Sequence, residues 1–100
     1  MERYKGKTIL ITGASSGIGE AFAKRLNQLG ANLILTARTE EKLNILADSM
    51  NNAYVIPGDL SKPEFSKELY EKIKQKGLTV DILINNAGFG FSGLFLESDI

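Results

Sequence analysis

The sequence contains neither cysteine nor histidine, and these two absences exclude several kinds of chemistry. Without cysteine there is no disulfide and no thiolate nucleophile, which is typical of a reducing cytoplasm. Without histidine as well, neither a zinc site of the usual kind nor a Ser-His or Cys-His nucleophile pair can form. We therefore predict no metal site. Any chemistry has to come from carboxylates, tyrosines, lysines, backbone amides or a bound cofactor.

An excess of charge and a long apolar run are also missing. The 12 basic and 12 acidic side chains cancel, which gives no electrostatic reason to expect binding to nucleic acid or to an anionic membrane. No apolar run approaches the roughly 18 to 20 residues that cross a bilayer. The charged residues 1–7 are not followed by the apolar core of a secretory signal. The sequence thus predicts a cytoplasmic protein without nucleic-acid or membrane partners.

What the sequence does contain is a regular alternation of apolar strands and amphipathic helices. Its 100 residues allow one small domain at most. The predicted strands are 7–12, 32–37, 53–57 and 80–85, and the predicted helices are 17–29, one that begins at Thr39 as N-cap, and one that runs from a capping box at 61–64 to Gly77. Such βα units predict an α/β fold, a Rossmann-type doubly wound parallel sheet with strand order 3-2-1-4.

The spacing of apolar residues predicts which face of each helix is buried. In the first helix, the predicted inward residues are Ile18, Phe22, Leu26 and Leu29. In the second helix, they are Leu43, Leu46, Ala47 and Met50. The fourth strand would be an open apolar edge, and Phe89, Phe91 and Phe95 follow it with little to pack against. We therefore expect residues 1–100 to be the amino-terminal portion of one larger Rossmann domain.

A glycine-rich turn joins the first strand to the first helix. Residues 12–19 read Thr-Gly-Ala-Ser-Ser-Gly-Ile-Gly. Gly13, Gly17 and Gly19 allow a tight turn and let a diphosphate approach the helix start, where unpaired amides and the helix dipole face the anion. A plain strand-to-helix corner without a ligand is the alternative.

Three further motifs follow the other strands, and the combination resembles a known family. Arg38 follows the second strand, Asp59-Leu60 follows the third, and Asn85-Asn86-Ala87-Gly88 follows the fourth. In this order the four motifs resemble the short-chain dehydrogenase/reductase family. The resemblance implies an oxidoreductase that transfers a hydride between a nicotinamide and a carbonyl or alcohol carbon of a small molecule. It also favours a homo-oligomer.

The resemblance assigns roles to residues of this sequence. Asp59 would accept a hydrogen bond from the adenine amine, with the Leu60 backbone nearby, although a turn or helix-start aspartate is the alternative. Asn85 is expected to be structural. Asn86, Ala87 and Gly88 would contact the ribose beside the nicotinamide. The adenosine phosphates and ribose would be held by Gly13, Ser15, Ser16, Gly17, Ile18 and Gly19.

Arg38 bears on the identity of the cofactor. An acidic residue usually ends the second strand of NAD-binding folds, whereas Ala37 occupies that place here. Ala37 leaves room for a 2′-phosphate, which the planar guanidinium of Arg38 can clamp. The sequence therefore predicts NADP (NADPH). A solvated arginine is the alternative for Arg38, and Ser16 stands where the family has its second basic residue, which predicts a modest preference.

One motif in the sequence is a decoy. Tyr70 and Lys74 have the Tyr-x-x-x-Lys spacing of the family's catalytic pair, but they precede the fourth strand, whereas the family's pair follows it. We interpret them as a solvated helix face and predict no catalytic residue in this segment.

Functions of other classes stay open. A non-catalytic dinucleotide sensor or regulatory protein would keep all four motifs and lack the downstream tyrosine and lysine. A methyltransferase is less favoured, because it would need an acidic group where Ala37 and Arg38 stand. A phosphate-loop nucleotidase is excluded, because no Gly-Lys-Ser/Thr follows the glycines.

Overall fold

The computed structural model describes residues 3–86. Four strands alternate with three helices along the chain. The order is β1 (Thr8–Thr12), α1 (Gly17–Gln28), β2 (Asn32–Thr36), α2 (Glu40–Asp48), β3 (Ala53–Val55), α3 (Pro63–Gln75) and β4 (Ile82–Asn85).

The strands form one parallel sheet in the order β3-β2-β1-β4. The carboxyl ends of β1, β2 and β4 are in register, because Thr12 lies opposite Thr36 on one side and Asn85 on the other. The predicted α/β fold and strand order are confirmed. This register brings the segments that follow separate strands to one edge of the sheet.

Helices cover both faces of the sheet, which is why the central strands are apolar without a polar alternation. Ile9, Ile11, Leu33 and Leu35 pack beneath α1 and α2. On the other face, Leu10 and Ile34 pack against Phe65, Leu69 and Ile73 of α3. The strand residues of both clusters are fully buried. Complete burial of one such side chain contributes about 1.5–3 kcal/mol, so these strands are a rigid base for the turns that follow them.

The outer strands are shorter than predicted. β3 ends at Val55 rather than at Pro57, because proline lacks the amide that would continue the ladder. β4 begins at Ile82 rather than at Val80. Asp81 fixes that start, since its carboxylate accepts a hydrogen bond of 2.8 Å from the Thr8 amide. β4 lies at an edge of the sheet that residues 3–86 form, and its apolar side chains are half-buried.

The predicted inward face of α1 is wrong at two positions. Ile18 is 66% exposed and Phe22 is 47% exposed, whereas Leu26 is buried and Leu29 is half-buried. The buried residues are Gly19, Ala23 and Leu26. Gly19 and Ala23 are small, so this face of α1 can pack closely against the sheet. The free energy gained by that close packing exceeds the gain from burying Ile18 and Phe22 instead. Ile18 and Phe22 therefore lie on a flank of α1 that the described part of the chain leaves open.

Helices α2 and α3 agree with the predictions except at the start of α3. Thr39 is the N-cap of α2, Leu43 and Leu46 are buried, and Ala47 and Met50 pack half-buried beside them, as predicted. The predicted capping box of α3 is wrong. Its N-cap is Lys62, because Ser61 is bonded to Asp59 instead. Within residues 3–86, no helix combines the length and the apolar character needed to cross a membrane.

Candidate functional site

A cleft of about 330 Å³ opens at the carboxyl edge of the sheet. Its walls come from the segments that follow all four strands. Seven of the predicted site residues line it, namely Gly13, Ser15, Ser16, Arg38, Asp59, Leu60 and Asn86. Ala37, Thr39 and Gly58 complete the lining. Gly17, Ile18 and Gly19 lie beside the cleft in the first turn of α1, while Ala87 and Gly88 lie outside the described residues.

The glycine turn needs glycine for two different physical reasons. Gly13 has φ of 63°, in the left-handed region that glycine adopts without strain. Gly19 has no such φ, but a Cβ there would overlap the Gly13 carbonyl oxygen and approach Asn86 Nδ2 to 2.9 Å. Gly19 therefore permits the close contact between α1 and the turn, as well as the burial of the helix on the sheet.

The first turn of α1 offers amides to an anion. The first four amides of a helix have no acceptor within the helix. Two of these four are satisfied locally, because the Ser16 amide donates to the Gly13 carbonyl at 3.1 Å and the Gly19 amide donates to Ser16 Oγ at 3.4 Å. Among residues 3–86 nothing accepts from the amides of Gly17 and Ile18, which leaves them for a ligand, and a Cβ on Gly17 would meet nothing within 4 Å. This open, amide-lined corner fits a diphosphate.

Ser16 holds the turn together. Its hydroxyl donates to the Gly13 carbonyl at 2.9 Å and accepts from the Gly19 amide and from Asn86 Nδ2. A hydroxyl has one proton and two lone pairs, so all of its capacity is used inside the protein. A bond from the Ser16 hydroxyl to a phosphate would have to replace the one to Gly13. Ser15, half-buried in the lining of the cleft, is the hydroxyl left for a ligand.

Asn86 links the end of β4 to the same turn. Its Nδ2 donates to Ser16 Oγ at 2.7 Å and to the Gly13 carbonyl at 3.2 Å. Both amide protons of the side chain are thereby used, and segments 70 residues apart are joined. Next to it, Asn85 Oδ1 accepts a hydrogen bond of 2.9 Å from Thr12 Oγ1, which supports the predicted structural role of Asn85.

The link predicts unequal effects of two substitutions at position 86. Asn86→Asp replaces two donors by a carboxylate facing the Gly13 carbonyl, so we expect the free energy of unfolding to fall by about 1–3 kcal/mol. Asn86→Ala should cost less, because the Gly13 carbonyl keeps the amide and hydroxyl of Ser16 as donors. Urea unfolding of the two variants measures this difference. Equal stability of the two variants would contradict the link.

The segment after β2 presents a cation at the rim of the cleft. Ala37 is buried, and its small side chain leaves space in the lining, while Arg38 and Thr39 are exposed. The Thr39 side chain makes no capping hydrogen bond to α2. Thr39, at the start of α2, lines the same cleft as Arg38. A guanidinium, a hydroxyl and a helix N-terminus together suit a phosphate group.

The turn after β3 presents Asp59. The turn lies close against α3, since a Cβ on Gly58 would overlap the Phe65 ring. Asp59 Oδ1 accepts two hydrogen bonds, from the Ser61 amide at 2.9 Å and from Ser61 Oγ at 2.6 Å. These bonds hold the pKa of the Asp59 carboxyl below its ordinary value; burial opposes them, and the nearby Arg38 and Lys62 cations lower the pKa further. Asp59 is therefore ionised at neutral pH and acts only as an acceptor.

The sequence pattern does not indicate that Ser61 supports Asp59, because it predicts this serine as the cap of α3. The Asp-x-Ser spacing was the available signal, since aspartate commonly accepts a hydrogen bond from the backbone two residues later. The Tyr70 and Lys74 pair lies elsewhere. Lys74 is exposed, and Tyr70 is half-buried against the α3 side of the core rather than fully solvated. Neither residue lines the cleft.

The sequence is similar to those of known proteins. The sequence model of the short chain dehydrogenase family matches residues 7–100. An uncharacterised oxidoreductase of Staphylococcus epidermidis is 35% identical over 100% of this chain and 44% of its own length. An 11-beta-hydroxysteroid dehydrogenase of Pinus massoniana is 43% identical over 97% of this chain and 29% of its own length.

A solved structure of a related enzyme has a similar fold. L-sorbose reductase from Gluconobacter frateurii, crystallised with NADPH and L-sorbose, superposes with a TM-score of 0.78 at 33% identity, covering 90% of this chain and 36% of the reductase. The chain thus spans less than half the length of each of these relatives. Because the family model covers nearly the whole chain and the sheet order and strand-end motifs agree with it, this protein belongs to the short-chain dehydrogenase/reductase family of oxidoreductases.

Proposed function

We propose that this chain is the cofactor-binding half of an NADP-dependent oxidoreductase. The whole protein would transfer a hydride between the nicotinamide and a carbonyl or alcohol carbon of a small molecule. The observation that carries the proposal is the cleft at the carboxyl edge of the sheet, where the glycine turn, Arg38 and Asp59 converge. In doubly wound sheets, this edge at the reversal of strand order is where ligands bind.

The diphosphate of the cofactor belongs at the start of α1. The amides of Gly17 and Ile18 and the hydroxyl of Ser15 are the donors there, and the helix dipole adds positive potential. Ser16, Gly13 and Gly19 contribute by keeping the turn in shape, as their mutual hydrogen bonds and close packing indicate. The role of these residues is binding and orientation, while the cofactor supplies the hydride.

The segment after β2 favours NADP over NAD. NAD requires an acceptor for the ribose hydroxyls, which Ala37 cannot provide, whereas a 2′-phosphate requires donors and positive charge. Arg38 and Thr39 provide both at the rim of the cleft. The sorbose reductase of similar structure was crystallised with NADPH, which agrees with this assignment.

The remaining assignments follow from the same placement. Asp59 accepts from the exocyclic amine of adenine, with Leu60 beside the base, and both residues line the cleft. Asn86 leads from the turn toward Ala87 and Gly88, which we assign to the ribose at the nicotinamide. The catalytic groups belong to the part of the protein that follows this segment. We further propose a cytoplasmic homo-oligomer.

Binding assays test this proposal directly. Titration of the purified protein with NADPH, followed by nucleotide fluorescence, should show saturable binding, with weaker binding of NADH and none of S-adenosylmethionine. Preference for S-adenosylmethionine, or no dinucleotide binding at saturating NADPH, would overturn the proposal. Tight NADPH binding by the whole protein without turnover of any carbonyl or alcohol would favour the alternative of a non-catalytic sensor.

The decoy motif supplies a further prediction. Tyr70→Phe and Lys74→Met should leave the turnover number of the whole protein unchanged, because neither side chain lines the cleft. Steady-state kinetics with NADPH and a carbonyl substrate give the comparison. A loss of turnover with an unchanged melting temperature in either variant would show that α3 contributes to the chemistry.

A further inference from the structure

Ser61, which lies just before α3, directs its hydrogen bonds to Asp59 rather than to the helix. Both of its donors, the amide and the hydroxyl, go to one and the same oxygen, Asp59 Oδ1. The other oxygen, Oδ2, accepts no hydrogen bond from residues 3–86, although Asp59 lines the cleft. The carboxylate is therefore held by one oxygen and has one acceptor left for a ligand.

The protonation state of Asp59 makes this acceptor selective. The hydrogen bonds from Ser61 are the largest cause that keeps the pKa of the Asp59 carboxyl low, and Arg38 and Lys62 are the charged groups that face it. An ionised carboxylate has no proton to donate. Adenine presents an amine donor at its position 6, whereas guanine and hypoxanthine present a carbonyl acceptor there. At position 6, the free oxygen can therefore accept from adenine, whereas it would face a carbonyl oxygen in the other two bases.

We propose that Ser61 is a positioning residue for the base of the cofactor: by fixing Asp59 Oδ1, it leaves Oδ2 to accept from the exocyclic amine and so makes the site select adenine. This inference rests on the proposed function, since it concerns the base of the same dinucleotide. It goes beyond that function because it assigns base selectivity to a residue outside the cleft lining.

The test compares two ligands that differ at position 6 of the base and in the proton on the adjacent ring nitrogen N1. Dissociation constants are measured for NADPH and for its hypoxanthine analogue. Ser61→Ala should reduce the preference for NADPH by about two- to tenfold, the effect of one hydrogen bond, and Ser61→Thr should restore it. Ser49→Ala is the matched control, because Ser49 is also an exposed serine with a local bond, to the Leu46 carbonyl at 2.8 Å. That control should leave the preference unchanged.

A second variant, Asp59→Asn, should reverse the preference between the two ligands rather than only reduce it. In Asp59→Asn, the donors of Ser61 keep Oδ1 in place, so the amide Nδ2 takes the position that faces the base. This variant should therefore prefer the hypoxanthine analogue, whose position 6 is an acceptor. The readout does not depend on whether Ser61→Ala folds well.

The outcomes separate the two ideas. If Ser61→Ala weakens both ligands equally, or if Asp59→Asn keeps the preference for NADPH, Ser61 only shapes the turn and the inference is wrong while the proposed function stands. If the wild-type protein binds neither dinucleotide, the proposed function fails and this inference fails with it. A reduced preference in Ser61→Ala together with a reversed one in Asp59→Asn would establish the positioning role.

Discussion

Replacing Gly19 by alanine is expected to lower the free energy of unfolding by about 1–3 kcal/mol and to abolish NADPH binding. A Cβ at this position would overlap the Gly13 carbonyl oxygen and lie 3.0 Å from the Ala14 Cα. These are backbone atoms of the turn, so they cannot move aside as the end of a flexible side chain can. The helix has to shift away from the sheet, and the amides of its first turn shift with it. Urea unfolding and NADPH titration measure the two effects.

Gly17→Ala is the matched control, because it makes the same substitution two positions earlier in the same helix. A Cβ on Gly17 meets nothing within 4 Å, so stability should be unchanged or rise by up to about 0.4–1 kcal/mol. NADPH binding should nonetheless weaken, since the added methyl group enters the space that we assign to the diphosphate. Equal loss of stability in the two variants would contradict the packing argument. Full NADPH affinity in Gly17→Ala would contradict the placement of the diphosphate.

Arg38→Asp is expected to weaken NADPH binding by about ten- to hundredfold while changing NADH binding little. The substitution removes a charge-assisted contact to the 2′-phosphate and puts a like charge in its place, and NADH lacks that phosphate. The dissociation constants of both cofactors, measured by fluorescence titration, give the comparison. Equal weakening of the two cofactors would show that Arg38 does not contact the 2′-phosphate.

Arg25→Asp controls for the change in net charge. Arg25 lies in the last turn of α1, about 12 Å along the helix from Gly17, and its side chain donates to Gln28. The same charge change at this distance should leave the ratio of the two dissociation constants as it is in the wild type. A similar loss of NADPH affinity in both variants would point to a long-range field rather than a contact.

Much of the fold could be read from the sequence, because its determinants are local. Continuous apolar runs such as 32–37 belong to strands covered on both faces, and their alternation with helices restricts the chain to parallel βα units. The inward face of α1 could not be read in the same way. Hydrophobic spacing favours Ile18 and Phe22 as the buried residues. In the structure, Gly19 and Ala23 face the sheet instead, because their small size allows a closer approach of the helix.

The sequence by itself determined the α/β class and the four motifs that end the strands, since each depends on residues close together in the chain. It also predicted the strand order, because repeated βα units restrict how parallel strands connect. Only the tertiary structure decided which polar groups are already used. The Ser16 hydroxyl is saturated by Gly13, Gly19 and Asn86, and Asn86 follows the end of β4, 70 residues away. The hydrogen bond between Asn86 and Ser16 depends on the register between β1 and β4, which no local sequence pattern encodes. Because these hydrogen bonds join distant segments, only the folded chain shows that Ser16 holds the turn and that Ser15 is left for a ligand.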